Sequence, residues 1–134
     1  MILVDTSVLL DVLTADPMWA DWSERQLEAA RLRGRVAINE VVYAELSVRA
    51  LRIEDVDAAV QGLDIEVLAT PRAALFMAGK VFAQYRARGG ARSGVLPDFF
   101  VGALAAVERL PLLTRDARRI RFYFPTVDVI APPA

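Results

Sequence analysis

Four acidic residues hold the most informative positions in this chain: Asp5, Glu45, Asp98 and Asp116. Asp5 directly follows a run of four apolar residues, and Asp116 lies just beyond a second such run. Short apolar runs closed by polar turns are typical of buried strands in a parallel sheet, where ligands bind beyond the carboxyl ends of the strands. Carboxylates gathered there would form an oxygen-rich pocket suited to a divalent metal ion. The pattern therefore indicates metal-dependent chemistry on phosphodiester bonds.

The composition removes the other common catalytic groups. The 134 residues include no histidine and no cysteine, which excludes catalytic triads, histidine-based RNA cleavage and zinc sites built from imidazole or thiolate. The single lysine, Lys80, follows no glycine-rich phosphate-binding loop. If the protein is an enzyme, carboxylates must therefore perform the catalysis. The lack of cysteine, of a secretory signal and of a long apolar stretch favours a cytoplasmic protein without a membrane span.

Glu45 lies on the apolar side of a predicted helix. Val41 and Val42 precede it by four and three residues, so its carboxylate shares their face and points towards the sheet rather than the solvent. A buried carboxylate needs a cation, a hydrogen-bond donor or a proton. A salt bridge to Arg49, four residues later, is the structural alternative to a functional role.

The three aspartates each have a structural alternative as well, because an aspartate at the start of a helix often caps it. Asp98 follows Pro97 and precedes a helix rich in small residues, which would let the amino end of that helix approach the sheet closely. Thr114 places a hydroxyl beside Asp116. Each acid alone is weak evidence, whereas four acids at element ends or on an inward face favour one common site.

Predicted strands alternate with predicted helices along the chain. The strands are expected at residues 1–5, 35–38, 65–68 and 112–114, with an edge strand at 127–130 as a further candidate. The helices are expected from 6 or 7 to 12, from the start signal Asp16-Pro17 to 33, and from the cap Asn39 to 50. Further helices are expected at 53–63, from Thr70-Pro71 to about 86, from 98 onward, and as a short turn after 116. Residues 87–96, with three glycines, are interpreted as flexible. This order predicts a single domain over residues 1–134, an α/β/α three-layer sandwich with a central parallel sheet of about four to five strands.

The two halves of the chain carry opposite charge. Residues 1–66 contain 13 acidic and 6 basic residues, whereas residues 67–134 contain 4 acidic and 10 basic residues. Seven arginines lie in two short stretches, at 86–92 and 115–121. A basic patch beside an acidic site is expected of an enzyme that acts on nucleic acid. The alternative is that both stretches are solvated helix ends.

Three large side chains fall on one side of the helix predicted to start at Asp16-Pro17: Met18, Trp19 and Trp22. They are interpreted either as ordinary core residues or as a surface groove for a partner helix or a second copy. The second interpretation follows because aromatic residues and methionine anchor such interfaces.

Four short motifs resemble a known family when they are taken in order. They are VDTS around Asp5, YAEL around Glu45, PDFFVGA around Asp98 and LLTRD ending at Asp116. Their order and spacing resemble the PIN-domain ribonucleases of the VapC toxin type, and the resemblance covers essentially the whole chain. Asp11, Asp64 and Glu66 match none of these motifs.

The resemblance implies a metal-dependent endoribonuclease that uses Mg²⁺ or Mn²⁺. It implies that the catalytic and metal-binding residues are Asp5, Glu45, Asp98 and Asp116, with supporting hydroxyls from Thr6 and Thr114. The RNA backbone would be held by Arg86, Arg88, Arg92, Arg115 and Arg118. A cognate antitoxin protein and a homodimer are implied as partners, with Met18, Trp19 and Trp22 as the contact residues.

Two other functions serve as alternatives. A receiver-type phosphoacceptor domain also gathers aspartates at strand ends, but it would need an acidic pair near the first strand and a lysine late in the chain. Lys80 lies within a predicted helix instead. A non-catalytic RNA- or protein-binding module would carry a degenerate site, whereas all four acids are present here.

Overall fold

The central sheet contains five short strands. The computed structural model describes residues 1–90 and 95–133. Within them the strands are β1 (Ile2–Val4), β2 (Val36–Asn39), β3 (Ile65–Leu68), β4 (Leu112–Leu113) and β5 (Val129–Ile130). Their spatial order is β3-β2-β1-β4-β5, and every neighbouring pair is parallel. The strand order reverses beside β1, and such a reversal opens a crevice at the carboxyl ends of the strands.

Seven helices in the described residues flank this sheet. They are α1 (Thr6–Leu13), α2 (Ala20–Arg33), α3 (Glu40–Ser47), α4 (Ile53–Gly62), α5 (Arg72–Ala87), α6 (Leu96–Glu108) and α7 (Arg118–Tyr123). The predicted three-layer fold with a parallel sheet is therefore confirmed, including the edge strand near the end of the chain. None of the helices in these ranges is long and apolar enough to cross a membrane.

The central strands lie in the middle of the hydrophobic core. The side chains of Leu3, Val4, Ile38, Leu112 and Leu113 are all fully buried. This burial explains the uninterrupted apolar runs, because a parallel strand that is covered on both faces has no polar side. Burying each such side chain contributes about 1.5–3 kcal/mol. The core thereby fixes where β1 and β4 end, and with them the residues that follow.

The start of α2 differs from the prediction. The helix begins at Ala20 rather than at Asp16-Pro17, so Met18 and Trp19 precede it and do not share a helical face with Trp22. Asp16 Oδ1 accepts hydrogen bonds from the backbone N–H groups of Met18 and Trp19, each at 2.9 Å. Asp16 therefore caps a turn before the helix, using the same kind of bond with which it would cap a helix.

Two other predicted helix boundaries also differ from the structure. The helix α3 ends at Ser47, three residues before the predicted end. The helix α6 begins at Leu96, and its second residue is Pro97, a position where the missing N–H has no helical partner to lose. Asp98 is thus the third residue of the first turn rather than the cap. Of the segment predicted to be flexible, residues 91–94 lie outside the described residues, and α5 continues to Ala87.

Gly102 lets α6 contact the end of α7. A Cβ atom at this position would lie 2.5 Å from the ring of Phe124 and 3.1 Å from Ile120 Cδ1, and the first distance is shorter than real contacts allow. We therefore expect Gly102→Ala to lower the free energy of unfolding by about 1–3 kcal/mol, because overpacking forces side chains out of their preferred rotamers. Urea unfolding monitored by circular dichroism measures the difference.

Gly79→Ala is the matched control for this substitution. Gly79 lies within α5, is exposed, and a Cβ atom there would meet nothing within 4 Å outside its own helix. Alanine is favoured over glycine inside a helix by about 0.8–1 kcal/mol, so Gly79→Ala should stabilise the protein. If Gly102→Ala were also stabilising, the close contact between α6 and Phe124 would be contradicted.

Candidate active site

Asp5 occupies the carboxyl end of β1 and is held by three hydrogen-bond donors. Its Oδ1 accepts from the Thr6 backbone N–H at 2.9 Å, so the residue also caps α1. Its Oδ2 accepts from Ser7 Oγ and from Thr114 Oγ1, both at 2.9 Å. The capping role and the site role are therefore compatible, and the three bonds fix the orientation of the carboxylate at the rim of the sheet.

Glu45 approaches the same rim from α3. Its Oε1 accepts a hydrogen bond from Thr6 Oγ1 at 2.8 Å, and the residue is half-buried. Burial raises the pKa of Glu45, the bond from Thr6 lowers it in part, and the negative charge of Asp5 raises it further. The alternative salt bridge to Arg49 is absent among the ion pairs of the described residues. The predicted inward orientation of Glu45 agrees with this half-buried position.

Asp98 brings a third carboxylate from the first turn of α6. Burial raises the pKa of Asp98 to about 6, and the next cause is the negative charge of Asp5. Arg119 lowers this pKa only in part, and the charge of Glu45 adds to the increase. Since Asp5 affects the pKa of both Glu45 and Asp98, the three carboxylates form one electrostatic cluster with an excess of negative charge.

Asp116 belongs to the segment that follows β4. Its backbone N–H donates to Thr114 Oγ1 at 3.2 Å, and its own Oδ1 accepts a long bond from the Arg118 backbone N–H at 3.4 Å. Thr114 is buried and donates its hydroxyl proton to Asp5. Thr114 therefore links the end of β4 to the end of β1 and positions Asp116 beside Asp5, although the side chain of Asp116 itself is exposed.

A cavity of about 280 Å³ lies at the carboxyl ends of β1 and β4. The residues that line it are Asp5, Ser7, Asp98, Val101, Leu112, Arg115, Asp116, Arg119 and Ile120. Three of the four predicted acids thus share one cavity. Glu45 does not line it and reaches Asp5 only through Thr6.

The donor set of this cluster suits a hard divalent cation. Carboxylate and hydroxyl oxygens are the ligands that Mg²⁺ and Mn²⁺ prefer, and the raised pKa values of Asp98 and Glu45 indicate negative charge that a cation would relieve. Within residues 1–90 and 95–133, however, no three acidic side chains converge closely enough to share one ion. Asp98 is turned towards Arg119 and Glu45 towards Thr6. The cluster therefore supplies the types of oxygen ligand that a divalent ion needs. Asp98 and Glu45 must change their side-chain orientation to share one ion.

A second polar network beside the cavity was missed by the sequence motifs. Asp11 is only 2% exposed and accepts hydrogen bonds from Ser23 Oγ at 2.7 Å and from Arg115 Nε at 2.9 Å. The guanidinium carbon of Arg115 lies 5.4 Å from the centre of the Trp19 ring. Asp11 interrupts the apolar stretch that forms α1. An acidic residue in an apolar stretch indicates a buried carboxylate that needs a partner, and this signal was present in the sequence.

The predicted RNA-binding arginines have different surroundings. Arg115 is engaged with Asp11, whereas Arg118 is exposed. Arg86 and Arg88 lie over the rings of Phe82 and Phe122, at 6.0 and 5.0 Å from the ring centres. Arg92 lies outside the described residues. Arg119, which belongs to the arginine stretch at 115–121 but was not predicted individually as a binding residue, lines the cavity.

The predicted partner-binding residues form a partly exposed surface beside this network. Met18 is 77% exposed, which contradicts the interpretation of Met18 as a core residue. Trp19 and Trp22 are half-buried, and their rings meet edge to face with centres 6.1 Å apart. The three side chains lie around the start of α2, and Trp19 connects this surface to the polar network because its ring lies beside Arg115.

The chain is similar to known proteins in both sequence and structure. The PIN domain family profile matches residues 2–125. Among solved structures, VapBC2 from Rickettsia felis, bound to a DNA fragment from the promoter, is 18% identical over 98% of both chains, with a TM-score of 0.73. A toxin–antitoxin complex from Klebsiella pneumoniae is 21% identical, covers 97% of this chain and 96% of the other, and has a TM-score of 0.66. FitAcB from Neisseria gonorrhoeae is 20% identical with the same coverage and a TM-score of 0.68. No curated protein sequence matches the chain significantly.

Proposed function

Since this chain belongs to the PIN domain family, we propose that it is a metal-dependent endoribonuclease that acts in the cytoplasm as the toxin of a toxin–antitoxin pair. The observation that carries this proposal is the single cavity that Asp5, Asp98 and Asp116 line at the carboxyl ends of β1 and β4. The toxin–antitoxin complexes among the structural neighbours support the toxin assignment.

The four acids have distinct roles in this proposal. Asp5 and Asp98 are the direct ligands of Mg²⁺ or Mn²⁺, and Glu45 and Asp116 bind directly or through water. When bound, a divalent ion supplies activation of water and stabilisation of the leaving oxygen. Asp5 is suited to its role because three donors already hold its carboxylate in place. Thr6 and Thr114 are positioning residues, because they hold Glu45 and Asp5 through their hydroxyls.

The arginines near the cavity hold the RNA backbone in this proposal. Arg115 lines the cavity, and Arg86, Arg88 and Arg118 are exposed, so their positive charges are accessible to phosphate groups. Contacts of this kind position the strand without reading its sequence. Single-stranded or looped RNA is the proposed substrate class, since unpaired bases leave the backbone free to enter a small cavity.

The products of cleavage test this function. We expect the protein to cut single-stranded RNA in the presence of Mg²⁺ or Mn²⁺ and to leave 5′-phosphate and 3′-hydroxyl ends, because water rather than the ribose 2′-hydroxyl is the nucleophile. End labelling and mass spectrometry of the fragments identify the ends. A 2′,3′-cyclic phosphate, or cleavage that persists in excess EDTA, would refute the proposed chemistry.

A cognate antitoxin and a second copy of the chain are the proposed protein partners. Met18, Trp19 and Trp22 are the proposed contact residues, because an exposed methionine beside two half-buried tryptophans is typical of a helix-binding surface. Sedimentation equilibrium tests the homodimer, and a monomer at micromolar concentration would contradict it.

A non-catalytic RNA- or protein-binding role is the second candidate. The observation that favours it is the lack of three converging acids in the part of the chain that the structure describes. The two functions differ in one measurement, since a binding module would retain RNA without cutting it at any Mn²⁺ concentration.

A further inference from the structure

Arg119 is the one basic side chain that contacts an acid of the proposed metal cluster, among the described residues. Its Nη1 lies 2.9 Å from Asp98 Oδ2, and both side chains are 37% exposed. Its guanidinium carbon lies 5.9 Å from the centre of the Tyr85 ring. Arg119 also lines the cavity together with Asp5 and Asp116. A cation of the protein itself therefore lies in the acidic cavity.

The ion pair and a metal ion compete for the same oxygen. A guanidinium group has no acceptor, so it cannot join a metal site as a ligand. A metal ion that binds Asp98 Oδ2 must therefore displace the guanidinium group of Arg119 from this oxygen. A partly exposed ion pair of this kind is weak enough to open, and the long arginine side chain can turn without moving α7.

We propose that Arg119 is a built-in counter-ion that pairs with Asp98 in the metal-free protein and turns to an RNA phosphate when Asp98 binds the metal ion. The proposal rests on the proposed metal-dependent function. An arginine fits the second role because its planar guanidinium binds phosphate oxygens with two parallel hydrogen bonds. The position of Arg119 in the cavity, rather than on the outer surface, directs it to the phosphate nearest the acids.

Metal binding without RNA tests the first half of this proposal. We expect Arg119→Gln to bind Mn²⁺ about three- to tenfold more tightly than the unchanged protein in isothermal titration calorimetry, because the competing cation is lost. Arg119→Lys keeps the positive charge, so it should change the affinity for Mn²⁺ less than Arg119→Gln does. Arg121→Gln removes the same charge from an exposed position on α7 and controls for the overall change in charge.

The two arginine variants separate the possible outcomes. Equal Mn²⁺ affinities for Arg119→Gln and Arg121→Gln would overturn the counter-ion role and leave the proposed nuclease function intact. Failure of every variant and of the unchanged protein to bind Mn²⁺ would overturn both. Thermal unfolding with EDTA confirms that the compared variants are folded.

Steady-state cleavage kinetics test the second part of the proposal, the contact of Arg119 with an RNA phosphate. We expect Arg119→Gln to raise KM for RNA about tenfold or more when Mn²⁺ is saturating, because a phosphate contact in the cavity is lost. Arg119→Lys should restore part of this loss, since lysine still binds phosphate as a point charge. An unchanged KM for Arg119→Gln would overturn the phosphate role.

Discussion

Asp98→Asn is expected to lower the rate of metal-dependent RNA cleavage by about 100-fold or more, because the substitution removes the charge of a residue that we propose as a direct metal ligand. The asparagine side chain has nearly the same shape, so the cavity should persist. Initial rates on a single-stranded oligonucleotide at saturating Mg²⁺ measure the loss. Cleavage retained within a few-fold of the original rate would remove Asp98 from the catalytic residues and, with it, the proposed arrangement of the metal site.

The same variant should be more stable than the unchanged protein when metal is absent. The pKa of Asp98 is raised from 3.8 to about 6, so the folded protein binds this proton more tightly than the unfolded chain does. The ionised carboxylate therefore destabilises the fold above pH 6, and stability is regained as the pH falls through 6 towards 4. The side chain is 37% exposed, and after allowance for solvent screening we expect a gain of about 1 kcal/mol at pH 7.

Thermal unfolding in EDTA at pH 7 and pH 5 measures this effect. Asp98→Asn should melt about 4 °C higher at pH 7, and the difference should shrink at pH 5, where Asp98 is already mostly protonated. Glu28→Gln, at an exposed position within α2, is the control for a general change in charge. A lower melting temperature for Asp98→Asn at pH 7 would show that the pair with Arg119 outweighs the burial of the charge.

The ends of β1 and β4 are predictable from the sequence because their signals are local. The apolar runs before Asp5 and Asp116 determine two buried parallel strands by themselves, and the short spacing of Val41, Val42 and Glu45 determines a shared helical face. The carboxyl ends of parallel strands share one edge of a sheet, whereas neither apolar run indicates that β1 pairs directly with β4. These local features are sufficient to predict that Asp5 and Asp116 lie at the same edge of the sheet.

The contacts of the site depend on packing that no local pattern contains. Asp98 and Arg119 meet because Gly102 allows α7 to pack closely against α6, and the sequence around either residue does not indicate the other. The start of α2 is not predictable from the sequence for a different reason. Asp16 makes the same side-chain bond to a following N–H group in a turn as in a helix cap, so the residue type cannot distinguish the two structures.

Asp11→Ala is expected to lower the free energy of unfolding by about 2–3 kcal/mol, because it removes the carboxylate partner of Arg115 and the acceptor of the buried Ser23 hydroxyl. Breaking a buried ion pair costs about 3–5 kcal/mol when the remaining charge is trapped. The value here is lower because the Arg115 side chain is 35% exposed and can turn to the solvent. Urea unfolding at pH 7 measures the change.

A double-mutant cycle with Arg115→Ala tests whether the two residues act as a pair. If Asp11 and Arg115 act as a pair, the loss of unfolding free energy in the double variant should be smaller than the sum of the losses in the two single variants. The expected difference is about 1 kcal/mol or more. Additive losses within about 0.5 kcal/mol would contradict the pairing. The cycle also decides how Arg115 should be assigned, because a residue that anchors the segment after β4 positions Asp116 beside Asp5. Loss of RNA binding in Arg115→Ala would then report a displaced Asp116 as well as a missing phosphate contact, whereas Arg118→Ala, at an exposed position, would report the phosphate contact alone.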